Sequence, residues 1–448
     1  MSERLKPWAV PVYLFACLVL GGSPQGVWGT LALQLGGLSL LAWAGLTRRP
    51  EPLSKSGGWL LLIAAGAITL MVIQLIPLPP ALWSSLPGRE AVTEGFVHLG
   101  TPLPWLPLSL APYGTLDSLL ALIPPSAMLV GILRLGAYRP RYLAGTLLAG
   151  TLLGIVLGAV QVTTGGGYLF RTVTAGQASG FFANANYMGT LLLVSIPFTA
   201  ALVTRARHRQ GSGRGWAGSL SLAGSLLLLV LFGLALSRSL AAVLLLPPVA
   251  LASWFILSSR RRVRRPWLLA GAVLGGALAV IAIGTLPAFD RVENATSASA
   301  RQQIYRTTLA AAGKVMPVGS GFGSFTPIYA REENAATVER AYVNHAHNEY
   351  LEIALEGGVP AILLMVAGLA WWARRSWWIW RSPTTGTFVR AATVASAAIL
   401  LHSLVDFPAR TLAISATLAV CFALMAEPRP RRTEAREALH RPARHLTL

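Results

Sequence analysis

The chain has 448 residues, of which 54% are apolar and only 12% charged, and its 37 Lys and Arg against 17 Asp and Glu leave a net charge of +20. A soluble protein of this size would carry about twice that charged fraction, and a disordered chain would be poor in apolar residues; both classes are excluded. The two cysteines, Cys17 and Cys421, each sit inside an apolar run, which excludes a disulfide scaffold. What remains is an all-α polytopic membrane protein, built from apolar runs of about 20 residues.

The first apolar run follows Arg4 and Lys6, and a basic flank of this kind stays cytoplasmic under the positive-inside rule. The same pattern fits a cleaved signal peptide, but no A-x-A-like site follows it. Membrane helices are expected at about 8–25, 28–47, 58–76, 114–133, 142–163, 186–203, 217–236, 239–257, 267–286, 351–372, 388–405 and 410–426, about 12 transmembrane helices with both ends in the cytoplasm. On this assignment 27 of the 37 basic residues, but only 5 of the 17 acids, face the cytoplasm. The positive surplus is therefore a topology signal, and no nucleic-acid partner is expected. Residues 1–286 hold the first nine helices, 351–426 the last three, and 427–448 a basic cytoplasmic tail.

Two outer segments are long. Residues 77–113 carry Pro77, Pro79, Pro80, Pro87, Pro102, Pro104, Pro107 and Pro112, with Trp83 and Trp105 among them. Proline this dense breaks helices, and tryptophan favours the membrane–water interface, so a periplasmic loop lying on the outer leaflet is expected. The same loop could form a wall of a lipid entry path. Residues 287–350 form a larger periplasmic loop, with Asp290 and Arg291 at its start and a helix-like stretch from Ala300 to Lys314. Its turn, Gly319-Ser320-Gly321-Phe322-Gly323-Ser324, lacks the Lys-Ser or Lys-Thr of a P-loop. It reads either as a tight turn or as a place where backbone closely approaches a glycan or phosphate. Ser237-Arg238-Ser239 joins two apolar helices with almost no loop, and an arginine at that depth must be paired or line a wet cavity. Residues 164–185 lead into Phe181-Phe182-Ala183-Asn184-Ala185-Asn186-Tyr187.

Of the histidines, His208, His440 and His445 fall in basic cytoplasmic segments, His98 in the proline-rich loop and His402 near the outer end of the eleventh span. That leaves His345 and His347 in Asn344-His345-Ala346-His347-Asn348-Glu349-Tyr350, just ahead of the tenth span. Glu349 to Glu356 reads as that helix's first turns, where acids suit the helix dipole. Histidines at i and i+2 do not share a helical face, so no zincin-type metal site is indicated. Histidine, with an ordinary pKa of about 6.5, can accept a proton at neutral pH. Arginines supply a planar fork of donors for phosphate, and Arg238, Arg301 and Arg306 are the outer candidates.

Three blocks resemble the O-antigen ligase and O-antigen polymerase superfamily. His347-Asn348, nine residues and then Gly358 is similar to the ligase signature, although Ala361 stands where that signature has Gly, Thr or Tyr. Arg301-Gln302-Gln303-Ile304-Tyr305-Arg306, followed by Pro317, Gly319, Gly321 and Gly323, resembles the family's outer helix and glycine turn. His402-Ser403-Leu404-Val405-Asp406-Phe407-Pro408 is similar to a late segment of these proteins. The resemblance covers roughly residues 160–426 and implies a GT-C-like fold in the bacterial inner membrane with a periplasmic active site. It further implies metal-independent, inverting glycosyl transfer, without a cofactor, from a glycan on undecaprenyl diphosphate. The acceptor hydroxyl would belong to lipid A-core, to another glycan or to a protein, and polymerase and protein O-oligosaccharyltransferase stand beside ligase. Carried over by position, His347 would be the general base, and Arg301 and Arg238 would hold the departing diphosphate. Arg306, His345, Asn348, Asn184, Asn186 and Asp406 would line the substrate site, and the 287–350 loop would close over the donor as a lid. The chain contains no Asp-x-Asp motif, in agreement with a metal-free reaction. A transporter without chemistry is the remaining class, but no internal repeat of the kind carriers show is evident between the halves.

Overall fold

A computed structural model of the protein describes residues 6–47, 52–136, 138–172, 175–210, 213–258, 275, 298–335, 338 and 343–427. Its helices are α1 (Lys6–Leu20), α2 (Val27–Leu46), α3 (Lys55–Leu75), α4 (Pro80–Trp83), α5 (Glu90–His98), α6 (Pro112–Ala121), α7 (Ile123–Val130), α8 (Pro140–Thr164), α9 (Ala185–Gln210), α10 (Gly213–Ser237), α11 (Leu240–Leu257), α12 (Ala298–Val315), α13 (Phe325–Glu332), α14 (Glu349–Arg381), α15 (Thr387–His402) and α16 (Leu412–Ala426). Seven stretches among the described residues are long and apolar enough to cross a membrane, and four shorter apolar helices, α1, the Ser221–Ser237 part of α10, α15 and α16, accompany them. This is an all-α polytopic membrane protein. The expected ninth span at 267–286 lies outside the described residues apart from Gly275, as do Asp290, Arg291 and the tail beyond Glu427.

Helix α9 sits at the centre of the bundle, against α8, α10, α11 and α15. It is apolar on all sides, as a fully enclosed helix must be: Leu191 to Val194 are buried without remainder. Of its buried hydroxyls, Ser195 Oγ donates to Leu192 O at 2.6 Å and Thr204 Oγ1 to Ala200 O at 2.8 Å. Helix α3 is the opposite case. Trp59 and Leu62 are each 60% exposed and Leu363 on the facing α14 is 64% exposed, so lipid covers this side.

The proline-rich segment is more ordered than a helix-broken loop. Pro77–Leu78 pairs antiparallel with Leu106–Pro107, the one strand pair among the described residues, and α4 and α5 lie between. Pro80 opens α4, and Pro112 opens α6, at first-turn positions where a missing N–H costs little. Buried Arg89 locks this cap to the larger outer segment: its guanidinium donates to Pro87 O and Leu108 O, both at 2.6 Å, and to Gly319 O at 3.0 Å.

The glycine turn finds its purpose here. Helix α14 is broken at Gly358, which has φ 59° and ψ −154°, and Pro360 follows. A broken helix strands carbonyls that lipid cannot satisfy. The turn supplies donors: Ser320 N to Leu355 O at 3.1 Å and Gly321 N to Glu356 O at 2.8 Å. Gln74 Nε2 also donates to Glu356 O at 3.0 Å, and Val359 N donates to Pro317 O at 2.8 Å. The structure places a close backbone approach between the turn and α14. Ala361, the departure from the ligase signature, is buried over Gly357, whose Cβ position it would overlap.

Gly358 cannot readily change. Its φ suits glycine, and a Cβ there would overlap the Pro317 carbonyl and lie 2.6 Å from Gly319 N. Gly358→Ala is expected to cost about 1–3 kcal/mol of stability, read as a lowered thermal midpoint and reduced folded yield in detergent, whereas Gly368→Ala on the same helix should leave both near the parent.

Candidate active site

The site gathers where the N-terminus of α14, the outer face of α12, the start of α9 and the corner between α15 and α16 meet. His347 has φ 49°, in the left-handed region. The two histidines diverge from this turn. His345 Nδ1 lies 2.8 Å from Glu352 Oε1, while Glu352 Oε2 accepts from Ala346 N at 3.0 Å. His347 instead turns Nδ1 toward Asp406 Oδ1 at 3.5 Å, an ion-pair separation longer than a made hydrogen bond. The two rings flank Phe407, at 4.1 Å for His345 and 5.2 Å for His347. Tyr305 OH donates to His347 O at 3.0 Å and fixes the backbone at the turn.

Asp406 is buried and its orientation is fixed. Asn186 Nδ2 donates to Oδ2 at 2.8 Å and Phe407 N to Oδ1 at 2.9 Å. Burial alone would raise its pKa, but His347, then His402 and Arg301, outweigh burial and hold the carboxyl well below the usual carboxylate range. Arg301 therefore acts electrostatically on the same carboxylate. It sits one helical turn before Tyr305 on the half-buried side of α12, the face that carries Ile304 and Thr308 into the core. Next to Asp406, His402 is fully buried with Nδ1 2.8 Å from Thr190 Oγ1.

The remaining sequence candidates divide. Asn186 joins the site through Asp406. Asn184 Oδ1 accepts from Asn186 N at 2.9 Å and shapes the entry to α9. Asn348 is the N-cap of α14, its Oδ1 accepting from Tyr350 N and Leu351 N, both at 3.1 Å; this is a helix-starting role. Arg238, with φ 52°, is exposed at the α10–α11 junction. Its neighbour Ser239 packs against Gly189, one turn into α9. Arg306 is exposed, about 140° around α12 from Arg301 by helical geometry, and so does not share its face.

One residue group escaped the sequence reading. Glu349, Glu352 and Glu356 lie at i, i+3 and i+7, one face of α14, and all are buried. They are more than dipole partners. Arg410 Nη2 reaches Glu352 Oε1 at 3.2 Å and Glu356 Oε2 at 3.0 Å. Glu356 Oε1 accepts from Gly323 N at 2.9 Å and Phe325 N at 3.2 Å. Glu349 Oε1 accepts from Ala409 N at 2.8 Å. Burial works against the Arg410 charge, but Glu352 and Glu356 more than compensate and raise its pKa further. The available signal was an acidic stripe on one face of an otherwise apolar helix, which requires a buried cation somewhere.

Chemically, an imidazole backed by an oriented carboxylate can take a proton, because the carboxylate favours the imidazolium that results. A guanidinium beside it can hold an anion. Residues 225–366 match the family described as O-antigen ligase, a stretch that holds Arg238, Arg301, Arg306, His345, His347 and Asn348. The match supports the O-antigen ligase and polymerase superfamily over that stretch of the chain. None of the curated proteins matches it. Asp406, Arg410, Asn184 and Asn186 lie outside the matched stretch and are joined to it by folding.

Two outcomes follow. Arg410→Met leaves two carboxylates buried without their cation and should cost about 3–5 kcal/mol; adding Glu352→Gln and Glu356→Gln should return most of the lost thermal midpoint. Asp406 binds protons more weakly folded than unfolded, so its contribution is present above about pH 4 and is lost as pH falls below that. Thermal midpoints taken from neutral to acid pH should therefore fall less steeply below about pH 4 in Asp406→Asn than in the parent.

Proposed function

We propose that the protein is a ligase-type glycosyltransferase that moves a glycan from undecaprenyl diphosphate to an acceptor hydroxyl of lipid A-core at the periplasmic face of the bacterial inner membrane. The observation that carries this reading is the His347–Asp406–Asn186 arrangement with Arg301 acting on the same carboxylate. With Nδ1 turned to Asp406, Nε2 is the nitrogen left to face an acceptor. It takes the hydroxyl proton as the oxygen attacks the anomeric carbon. The bond from that carbon to the diphosphate oxygen breaks, and attack from the opposite side inverts the configuration. Arg301, with Arg238 at the α10–α11 junction, holds the diphosphate and stabilises the charge it gains on leaving. A diphosphate is a good leaving group, so neither a general acid nor a metal is needed for its departure.

The outer segment fits a donor that enters sideways from the bilayer while its diphosphate stays wet. Within this reading, 287–350 covers the donor as a lid, with the glycine turn as its anchored end, and Arg306 and His345 line the approach. A polymerase or a protein O-oligosaccharyltransferase would use the same donor chemistry with another acceptor.

The test is glycan transfer by the purified chain, given lipid-linked glycan together with lipid A-core. The parent is expected to label lipid A-core. His347→Ala and Arg301→Ala, each separately, should lose about 100-fold or more of the rate while inserting and eluting as the parent does. Transfer that survives both changes would sink the site, and longer lipid-linked chains without labelled lipid A-core would replace ligase by polymerase.

A further inference from the structure

At the opposite end of the bundle from this site, α3 and α14 part to leave a cavity of about 540 Å³. Lys55, Trp59, Trp371, Arg374, Arg375 and Trp378 are among its lining residues. By the positive-inside rule this end is cytoplasmic. The three cations differ in what holds them. Arg375 is preset: its Nε and Nη2 donate to Met425 O at 3.2 and 2.7 Å. Lys55 and Arg374 are exposed and make no hydrogen bond or ion pair among the described residues. Among the described residues Glu427 is the acid at this end, and it packs beside Gly57, which is not part of the lining. Like charges therefore converge on one mouth with no carboxylate in its wall.

Other features point to what neutralises them. Ser56 Oγ, in the same wall, is enclosed and has no hydrogen-bond partner. Trp59 and Trp378 are 60% and 58% exposed, at the level where indole rings sit among lipid headgroups. Trp371 is fixed, its Nε1 donating to Ser56 O at 3.1 Å. Farther along the same α3–α14 seam lies a second groove of about 520 Å³, mostly apolar, with Leu62, Ala65, Leu70, Leu363 and Leu364 in its wall and Thr69 as its one hydroxyl. The seam thus runs from a cationic, tryptophan-flanked mouth to a hydrocarbon-lined channel. Basic pockets between membrane helices on the cytoplasmic side take acidic headgroups.

We infer that the inner ends of α3 and α14 form a binding site for an anionic diacyl phospholipid, its phosphate held by Lys55, Arg374 and Arg375 and an acyl chain lying along the seam. A zwitterionic lipid brings an ammonium group that the three cations repel, so the site selects net negative charge. The site is separate from glycan transfer and does not depend on it.

The full chain, purified in mild detergent, is titrated with phosphatidylglycerol, phosphatidylcholine or inorganic phosphate, and bound lipid is counted by native mass spectrometry alongside the thermal midpoint. The parent is expected to retain phosphatidylglycerol in preference to phosphatidylcholine and to melt higher with it. Lys55→Gln with Arg374→Gln should lower phosphatidylglycerol retention about tenfold or more. Arg374→Gln alone, at an exposed position, should give a smaller loss in the same direction and serves if the double variant does not fold. Equal retention of the two lipids by the parent, or undiminished retention by the variants, would overturn the proposal. An equal thermal shift from inorganic phosphate would do so too, since it would mark a site for soluble anions.

Discussion

The outer half of the molecule depends on two ion pairs that share one guanidinium and bury both carboxylates. Arg410 comes from the corner between α15 and α16, and the carboxylates it holds, Glu352 and Glu356, come from the first turns of α14. Those carboxylates in turn hold other parts: Glu352 takes His345 and the Ala346 amide, and Glu356 takes the Gly323 and Phe325 amides. One guanidinium thus ties the histidine turn, the glycine turn and the late corner into a single unit. Charges this deep are tolerated only when each is paired. Pairing fixes the corner that carries Asp406, and Asp406 in turn faces His347. The geometry of the His347–Asp406 pair is set by an interaction that involves neither residue.

The left-handed turn at His347 divides two histidines that look equivalent in sequence. His345 is committed to the ion cluster. His347 is directed to Asp406; its side chain is 18% exposed against 24% for His345, so the partner each ring meets, and not exposure, distinguishes the two. Phe407 between the rings keeps them apart and, with Tyr187 edge-on at 5.6 Å, closes the site from the bundle side. Specificity of role is achieved by backbone conformation and not by residue type.

Much of this was legible in the chain. Helix positions followed from apolar runs because in lipid a spanning segment has few alternatives, and His347 and Arg301 stood out as polar residues at apolar boundaries. Two pairings were not legible. The glycine turn read either as a tight turn or as a close approach to a ligand because its partner, the break at Gly358, is remote in sequence. Arg410 was passed over because an arginine after Asp-Phe-Pro-Ala is ordinary until three buried glutamates are found facing it. Both are long-range pairings, and local pattern carries no information about such partners.

The break in α14 also separates two mechanical regimes. Below Gly358 the helix meets lipid and must follow bilayer thickness and tilt. Above it, the last carbonyls are gripped by the glycine turn and Gln74, so the outer turns move with the cap. Bending of the lower segment is absorbed at the joint. The histidine turn and its partners are thereby insulated from membrane deformation, and a single helix can serve as an anchor in one half and as precise scaffolding in the other.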